Sequence, residues 1–439
     1  MLTTLLIALL QAPAPAAPPA APAPPPPFAY RSRVAPRVHV HAPRARVHAA
    51  RLARFVSRGA GLESGPDSVM VATFLADLGR TPSPVCGLAI ARVGNGWSGR
   101  WPGDRASALR DEAPDLAAAE DRLGAPLTDR RAVPLLTVTL GRPEPCVRRA
   151  AAELLGNAAM PEAGRALRGA LGDRDARARE AAALGLGIMG DSGSYPALVA
   201  ALRDPDPDVV RMSAWALGSV EDHRAVKPLL PLLHDRNDGV REASAEALGR
   251  IGDTTASPGL VEALADPSPR VRLAAARATG ELEDQRGVPA LIRALRDSDP
   301  GLRAAAALSL GAIEDPAAAE ALGRAASDSV TLVRLEAVTA LGQLDGLRSA
   351  PPGLLAALND RDSEVRRAAV DALGQIGDPK AVAALTALLK DGDPETRRGV
   401  VEALSQIEDS AVTPPLIQAM KDPDPGVRRA AAEALGNDR

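Results

Sequence analysis

A chain of 439 residues is long enough for several globular domains, and a composition with 46% hydrophobic but only 2% aromatic residues favours helices over aromatic-rich sheets. The formal net charge of −3 supplies no global basic field, which excludes nucleic acid or an anionic membrane held by overall charge. Two cysteines, Cys86 and Cys146, are too few for a disulfide framework or a cysteine-based zinc site.

Residues 1–27 join a short apolar run (2–10) to small residues with Ala-x-Ala at 12–14 and 14–16. That is the pattern of a secretory signal peptide, and it is too short to span a bilayer. Export to the periplasm or beyond is the expectation. Because no Lys or Arg precedes the run and Pro lies near the cut, the alternative is a cytoplasmic tail. The Ala/Pro tract that follows reads as extended polyproline-II linker.

Residues 28–61 are basic, with Arg31, Arg33, Arg37, Arg44, Arg46, Arg51, Arg54 and Arg58 and no Asp or Glu. A solvated, disordered tether is expected there; His39 and His41 lack the further ligands that would close a metal site. Residues 62–130 read as degenerate units forming an N-terminal cap. Their frame blurs, and the segment with Trp97 and Trp101 is not helical in character. Terminal repeats are atypical because their outer face meets water instead of a neighbour.

From 131 to 439 the chain is periodic. Gly156, Gly187, Gly218, Gly249, Gly280, Gly311, Gly342, Gly374 and Gly436 recur every 31 residues, except for one step of 32 between Gly342 and Gly374, and Ser405 fills the remaining slot. Asp173, Asp204, Asp235, Asp266, Asp297, Asp328, Asp360, Asp391 and Asp422 keep the same beat. A fixed period of this length marks stacked repeats. Each unit predicts two helices. Helix A is seen at 226–234, 288–296 and 382–390; helix B follows the recurrent Asp and runs past the Gly. Asp, Pro and Ser in the turns between them stop one helix and cap the next.

The unit at residues 422–436, DPDPGVRRAAAEALG, resembles HEAT-like repeats of the type named after the phycobilisome bilin lyase subunits. The resemblance implies an all-α, right-handed α–α superhelix of about ten 31-residue two-helix units. It implies a non-catalytic scaffold or adaptor gripping a protein or peptide along the inner helix-B wall, with no cofactor. The reading from another class is an accessory subunit, lyase-like or chaperone-like, of a chromophore- or cofactor-modifying enzyme. The HEAT-like deoxyhypusine hydroxylases, which bind iron through His-Glu pairs, are set aside because no His-Glu dipeptide occurs. Neither a phosphate-binding GxxxxGK[ST] loop nor a GxSxG elbow is present.

An Arg stands six residues after nearly every recurrent Asp: Arg241, Arg272, Arg303, Arg334, Arg366, Arg397 and Arg428 among them, with Val210 the departure. An anion-binding ridge is one reading. A structural ladder of Asp204, Asp266, Asp297, Asp360, Asp391 and Asp422 with these arginines is the preferred one, since a residue every unit requires serves stacking.

Recognition is therefore sought where units differ. Helix-B positions seven before, three before and one after the Gly share a face. Most are polar, as in Glu242, Glu246 and Arg250, or Arg367, Asp371 and Gln375. Leu184 and Ile188, then Trp215, then Leu273, Ala304, Leu308, Ala312 and Leu335 break that rule. Large apolar groups on a charged face suggest a partner; the alternative is repacking against a long neighbouring side chain. His234, where other units carry Arg or Lys, reads as a cation at a helix end. In a regular stack Cys86 and Cys146 would lie about 20 Å apart, two layers of ~10 Å, beyond the ~7 Å a disulfide allows, unless an irregular cap folds back. The chain stops three residues after Gly436 without a polar closing helix, so its end face either tolerates water or docks end-on against another chain.

Overall fold

In the computed structural model the described residues are 68, 71, 72, 74–76, 127–158 and 160–437. The leader (1–27), the basic linker with His39 and His41 (28–61), and most of the stretch 62–130, with Trp97, Trp101 and Cys86, lie outside them.

From Ala132 to Asn437 twenty α-helices alternate short and long, and no strand occurs among the described residues. The first five pairs are Ala132–Thr139 (α1) and Pro145–Gly156 (α2), Pro161–Ala170 (α3) and Ala176–Met189 (α4), Tyr195–Ala201 (α5) and Pro207–Val220 (α6), Val226–Leu229 (α7) and Asp238–Ile251 (α8), Ser257–Ala263 (α9) and Pro269–Glu281 (α10). The next five are Val288–Ala294 (α11) and Pro300–Ile313 (α12), Ala319–Ala325 (α13) and Thr331–Gln343 (α14), Pro352–Ala357 (α15) and Ser363–Ile376 (α16), Val382–Ala387 (α17) and Pro394–Ser405 (α18), Thr413–Ala419 (α19) and Pro425–Asn437 (α20). Odd numbers are helix A and even numbers helix B. Each helix B packs along the next, and each helix A lies on its own helix B. No described helix is long and apolar enough to cross a membrane.

The turns explain the spacing of acids. Asp206 caps α6 by accepting the Asp208 N–H at 2.9 Å, and Asp204 accepts the Asp206 N–H at 2.9 Å. Asp299 with Asp297, and Asp362 with Asp360, repeat this nested pair. Proline at the first helical position, as in Pro207, Pro300 and Pro394, removes a donor that would have had no partner. At the far end of helix B one residue turns left-handed: Gly190, Gly252 and Gly377, but also Glu221, Glu283 and Glu314. The next Asp then opens a short 3₁₀ turn, as Asp222 does by accepting the Arg224 N–H.

Glu221 adopts φ 55° in a position that glycine occupies without strain. Glu221→Gly is expected to stabilise the chain by about 0.5–1 kcal/mol, the left-handed penalty less the entropy glycine loses on folding. A urea titration followed by helical circular dichroism reads this directly, and a loss of stability would contradict it.

Two helix-A details depart from the sequence reading. The stretch 226–234 is not one helix: α7 gives way to a 3₁₀ turn at Leu230–His234, because Pro231 has no N–H to continue the ladder. Residues 382–390 likewise end in a 3₁₀ turn, Leu388–Lys390. The extra residue of the 32-residue step falls between α14 and α15, where the 3₁₀ turn is replaced by a loop. There the Asp345 N–H donates to the Glu314 carbonyl at 3.0 Å.

The recurrent glycine sets the closeness of the stack. A Cβ on Gly218 would lie 2.6 Å from the Ala247 Cα, and one on Gly374 would lie 2.8 Å from the Ala403 Cα. Gly249 faces Ala278 at 2.7 Å in the same way. Consecutive B helices thus touch backbone to backbone, with small residues 29 positions apart in register. Ser405 sits at an exposed place, its hydroxyl bonded to the Glu402 carbonyl.

At the N-terminal end, residues 68, 71, 72 and 74–76 are helical, and Val71, Phe74 and Leu75 are buried in the same core as Leu127, Ala132 and Leu136. Asp129 accepts the Ser68 N–H at 2.8 Å and binds Arg131, which together hold its carboxyl well below the usual range. Cys146 is disulfide-bonded. The sequence has one other cysteine, Cys86, outside the described residues. The regular-frame spacing that would keep the two thiols apart therefore does not describe this end of the chain.

Candidate functional site

Every unit offers two polar systems, and the structure separates them. The first is at the turn between helices A and B. Arg179 binds Asp204 at 2.7 Å, Arg241 binds Asp266 at 2.7 Å, Arg303 binds Asp328 at 2.8 Å, Arg334 binds Asp360 at 2.7 Å and Arg397 binds Asp422 at 2.8 Å. Each of these pairs uses two guanidinium nitrogens on two carboxylate oxygens, and a third nitrogen donates to carbonyls of the arginine's own turn, as from Arg334 to Asp328 at 3.0 Å. Arg272–Asp297 at 3.4 Å and Arg366–Asp391 at 3.8 Å are looser. With Val210 buried in the arginine slot, Asp235 accepts the Asn237 N–H at 2.8 Å and receives no arginine across the junction; Arg211 beside Val210 turns to Glu180 at 3.2 Å and Asp208 at 3.3 Å. Arg428 donates to the carbonyls of Asp422 and Pro423. The guanidinium groups that join units are taken up by the carboxylate of the neighbouring unit, including Arg334, which with Asp328 and Asp360 lines a shallow surface pocket.

This ladder has a pH consequence. Arginine donating to them holds the carboxyls of Asp204, Asp328, Asp360 and Asp422 below their ordinary range. Such groups stabilise the fold above the unfolded value of about 3.9 and lose that contribution as pH falls through the folded value. Burial pushes Glu180, Glu242 and Glu336 upward, so they cost stability at neutral pH and release that cost as pH falls toward about 4.3. The melting temperature is therefore expected to hold or rise slightly from pH 7 to about 5 and to drop steeply below about 4. A monotonic fall from pH 7 would contradict this sign.

The second system is the helix-B wall. Its polar stretches carry local ion pairs, such as Arg149 with Glu153 at 2.9 Å and Arg398 with Glu402 at 3.5 Å. The position just after the recurrent Gly has a task the sequence did not announce. The side chains of Glu281, Gln343, Gln375 and Gln406 reach over the glycines at 249, 311, 342 and 374 and cover the gap each leaves.

Trp215 is half-buried. Its ring lies against Gly187, and the Arg250 guanidinium stands 5.5 Å from the ring centroid while donating to the Trp215 carbonyl and the Ser219 hydroxyl. Leu184 and Ile188 are also half-buried, and Ile188 packs on Gly156. Leu273 and Leu335 are half-buried at the edge of the core, and Leu308 remains exposed between them in sequence order. Leu332, one turn before Leu335 on α14, is exposed too and was not picked out by the three-position stripe. The structure thus splits the aperiodic apolar residues into two sets. Trp215 and Ile188 fill gaps over glycines of the neighbouring B helix and Leu184 packs against the core, whereas Leu273, Leu308, Leu332 and Leu335 lie on three successive B helices. His234 ends its 3₁₀ turn exposed, and His223 stands 3.4 Å from Asp253.

Known proteins share this architecture. The family model for HEAT repeats matches residues 132–218, 195–266, 257–342 and 351–436. No curated protein sequence matches. Among solved structures, importin beta crystallised in an ammonium sulfate condition is similar with a TM-score of 0.53 and 17% identity, covering 90% of this chain and 60% of its own. Kap95p bound to RanGDP gives 0.49 and 16%, covering 84% and 60%. The CpcE–CpcF complex of phycocyanin lyase from Nostoc sp. PCC7120 gives 0.34 and 26%, covering 55% and 93%. The chain spans 60% of the importin beta structure, and that likeness shows fold alone. With ten helix pairs whose glycine contacts and arginine ladder repeat along the stack, and with matches over most of residues 132–436, the chain belongs to the HEAT-repeat family.

Proposed function

We propose that this chain is a non-catalytic scaffold or adaptor that binds a polypeptide along its helix-B wall. One observation carries the reading. The recurrent charged groups are taken up between units, which leaves the wall's unit-specific side chains, Leu308 and Leu332 above all, as the exposed apolar surface of helix B. The test is photo-crosslinking from the full chain in its native host with the probe at Leu308 or, as a control, at Arg324 on helix A. Polypeptide adducts confined to the Leu308 probe support the proposal. Adducts from Arg324 alone, or a small-molecule adduct in place of polypeptide, would overturn it.

Export belongs to the same proposal. A disulfide at Cys146 supports an oxidising compartment, where such bonds persist. Fractionation of the native host with thiol labelling checks this, and a reduced Cys146 in the cytoplasmic fraction would refute it. End-on association is a separate part: Met420, exposed where earlier units bury Leu358 or Leu389, would lie at that contact. Light scattering at high concentration tests it, and a strict monomer counts against it.

A further inference from the structure

The apolar strip on α10, α12 and α14 differs from the rest of the wall in its charged border as well as its leucines. Positions that hold Arg149, Glu180, Glu242 or Arg367 in other units hold Leu273, Ala304 and Leu335 here. Leu308 is 37% and Leu332 52% exposed. Leu332, Leu335 and Glu336 share one face of α14, three and four residues apart. Glu336 stands in a slot that is Ala243, Ala274 and Ala305 in the three preceding units. It is half-buried, and no hydrogen bond or ion pair of its own is found among the described residues. Burial alone pushes its carboxyl above the ordinary range. A carboxylate placed where the fold asks for alanine, with nothing opposite it, weakens the folded state unless something outside the chain supplies the counter-charge.

The border has the same sign. The strip's own and flanking B helices, α8 to α16, carry Glu242, Glu246, Glu281, Glu336, Glu364 and Asp371 there, against Arg250, Arg270, Arg277 and Arg367, and Arg250 faces Glu246 and Glu281. Arg270 is already held by Asp238 at 3.2 Å and lies 3.8 Å from Glu242. The balance is acidic.

Resting on the scaffold reading above, we infer that the occupant of this strip is a basic amphipathic polypeptide segment, its apolar side chains on Leu273, Leu308, Leu332 and Leu335 and a lysine or arginine against Glu336. The apolar contacts supply most of the affinity, and the acidic border selects the sign of the partner's polar face.

The experiment uses the full chain and three fluorescent 16-residue peptides with leucines at helical spacing, their polar faces carrying Lys, Gln or Glu. The Lys peptide is expected to bind at least tenfold more tightly than the Glu peptide. Leu308→Glu weakens the Lys peptide at least tenfold. Glu336→Gln weakens the Lys peptide about threefold to tenfold and leaves the Gln peptide unchanged, a difference that a merely structural role would not produce. Circular dichroism confirms that both variants fold.

Equal binding of the three peptides overturns the inference. So does a second copy on the strip, seen as a dimer that Leu308→Glu disperses, or the chain's own residues 28–61, seen as Lys-peptide binding that appears only after residues 1–61 are removed. Crosslinks on the helix-B wall but away from α10–α14 would leave the scaffold reading standing while this inference fails. Lys-peptide selectivity without native polypeptide adducts would do the reverse.

Discussion

Gly218→Ala is expected to destabilise the chain by about 2–3 kcal/mol, although alanine is the better helix former by about 1 kcal/mol. The new methyl would stand 2.6 Å from the Cα of Ala247 and 2.9 Å from its Cβ. A flexible side chain could yield, but backbone cannot, so α6 and α8 must move apart along their length and surrender packing on both sides. This junction is the one whose arginine slot holds Val210, so no rung compensates there. Gly436 provides the control, since a Cβ there meets nothing within 4 Å. Gly436→Ala should be neutral or slightly stabilising, a few tenths of a kcal/mol, by propensity alone. Urea unfolding of the two variants side by side decides the matter. Equal effects would mean that the glycine serves the helix itself and not the contact.

Arg334→Ala is expected to cost about 2–4 kcal/mol. The side chains of Arg334 and Asp360 are only 6% and 9% exposed, so deletion strands a nearly buried carboxylate with the Asp362 N–H as its remaining partner. It also releases the Asp328 carbonyl, which the guanidinium holds at 3.0 Å. Arg334→Lys should recover little, because an ammonium cannot bind both carboxylate oxygens and the turn at once. The double variant Arg334→Ala with Asp360→Ala should recover part of the loss by removing the stranded charge. At the looser rung, Arg366→Ala should lose less than half as much, since its closest nitrogen lies 3.8 Å from Asp391. If the two single variants lost the same amount, bidentate geometry would not be the source of the effect.

Much of this architecture was legible because periodicity reports which positions meet a neighbour. The Asp–Arg recurrence and the glycine comb are such positions, and their contacts repeat from unit to unit. What periodicity does not report is what covers the space a small residue leaves. Gln343 and Gln375 look solvent-facing in the polar stripe, yet they lie over Gly311 and Gly342. Trp215 has the same ambiguity: its neighbours Gly187 and Arg250 are each about one unit away and come together only in the stack. Leu332 escaped because it sits in the first turn of α14, ahead of the three positions read in each unit. Glu336 escaped because one acid in a charge-rich chain is unremarked until its half-buried, unmatched position is seen. The 3₁₀ turn at Leu230–His234 was readable from Pro231, whereas the bond at Cys146 was not, since two cysteines without a frame fix no distance.

The glycine contact between one helix B and the next carries a consequence for length. A barrel must meet its own first strand, so its membership is fixed by closure. Here the same backbone approach simply hands on from Gly218 to Ala247, from Gly249 to Ala278 and onward, with no condition that returns to the start. Duplication or loss of 31 residues between equivalent points would therefore leave every remaining junction in register, and natural selection could lengthen or shorten the molecule one module at a time.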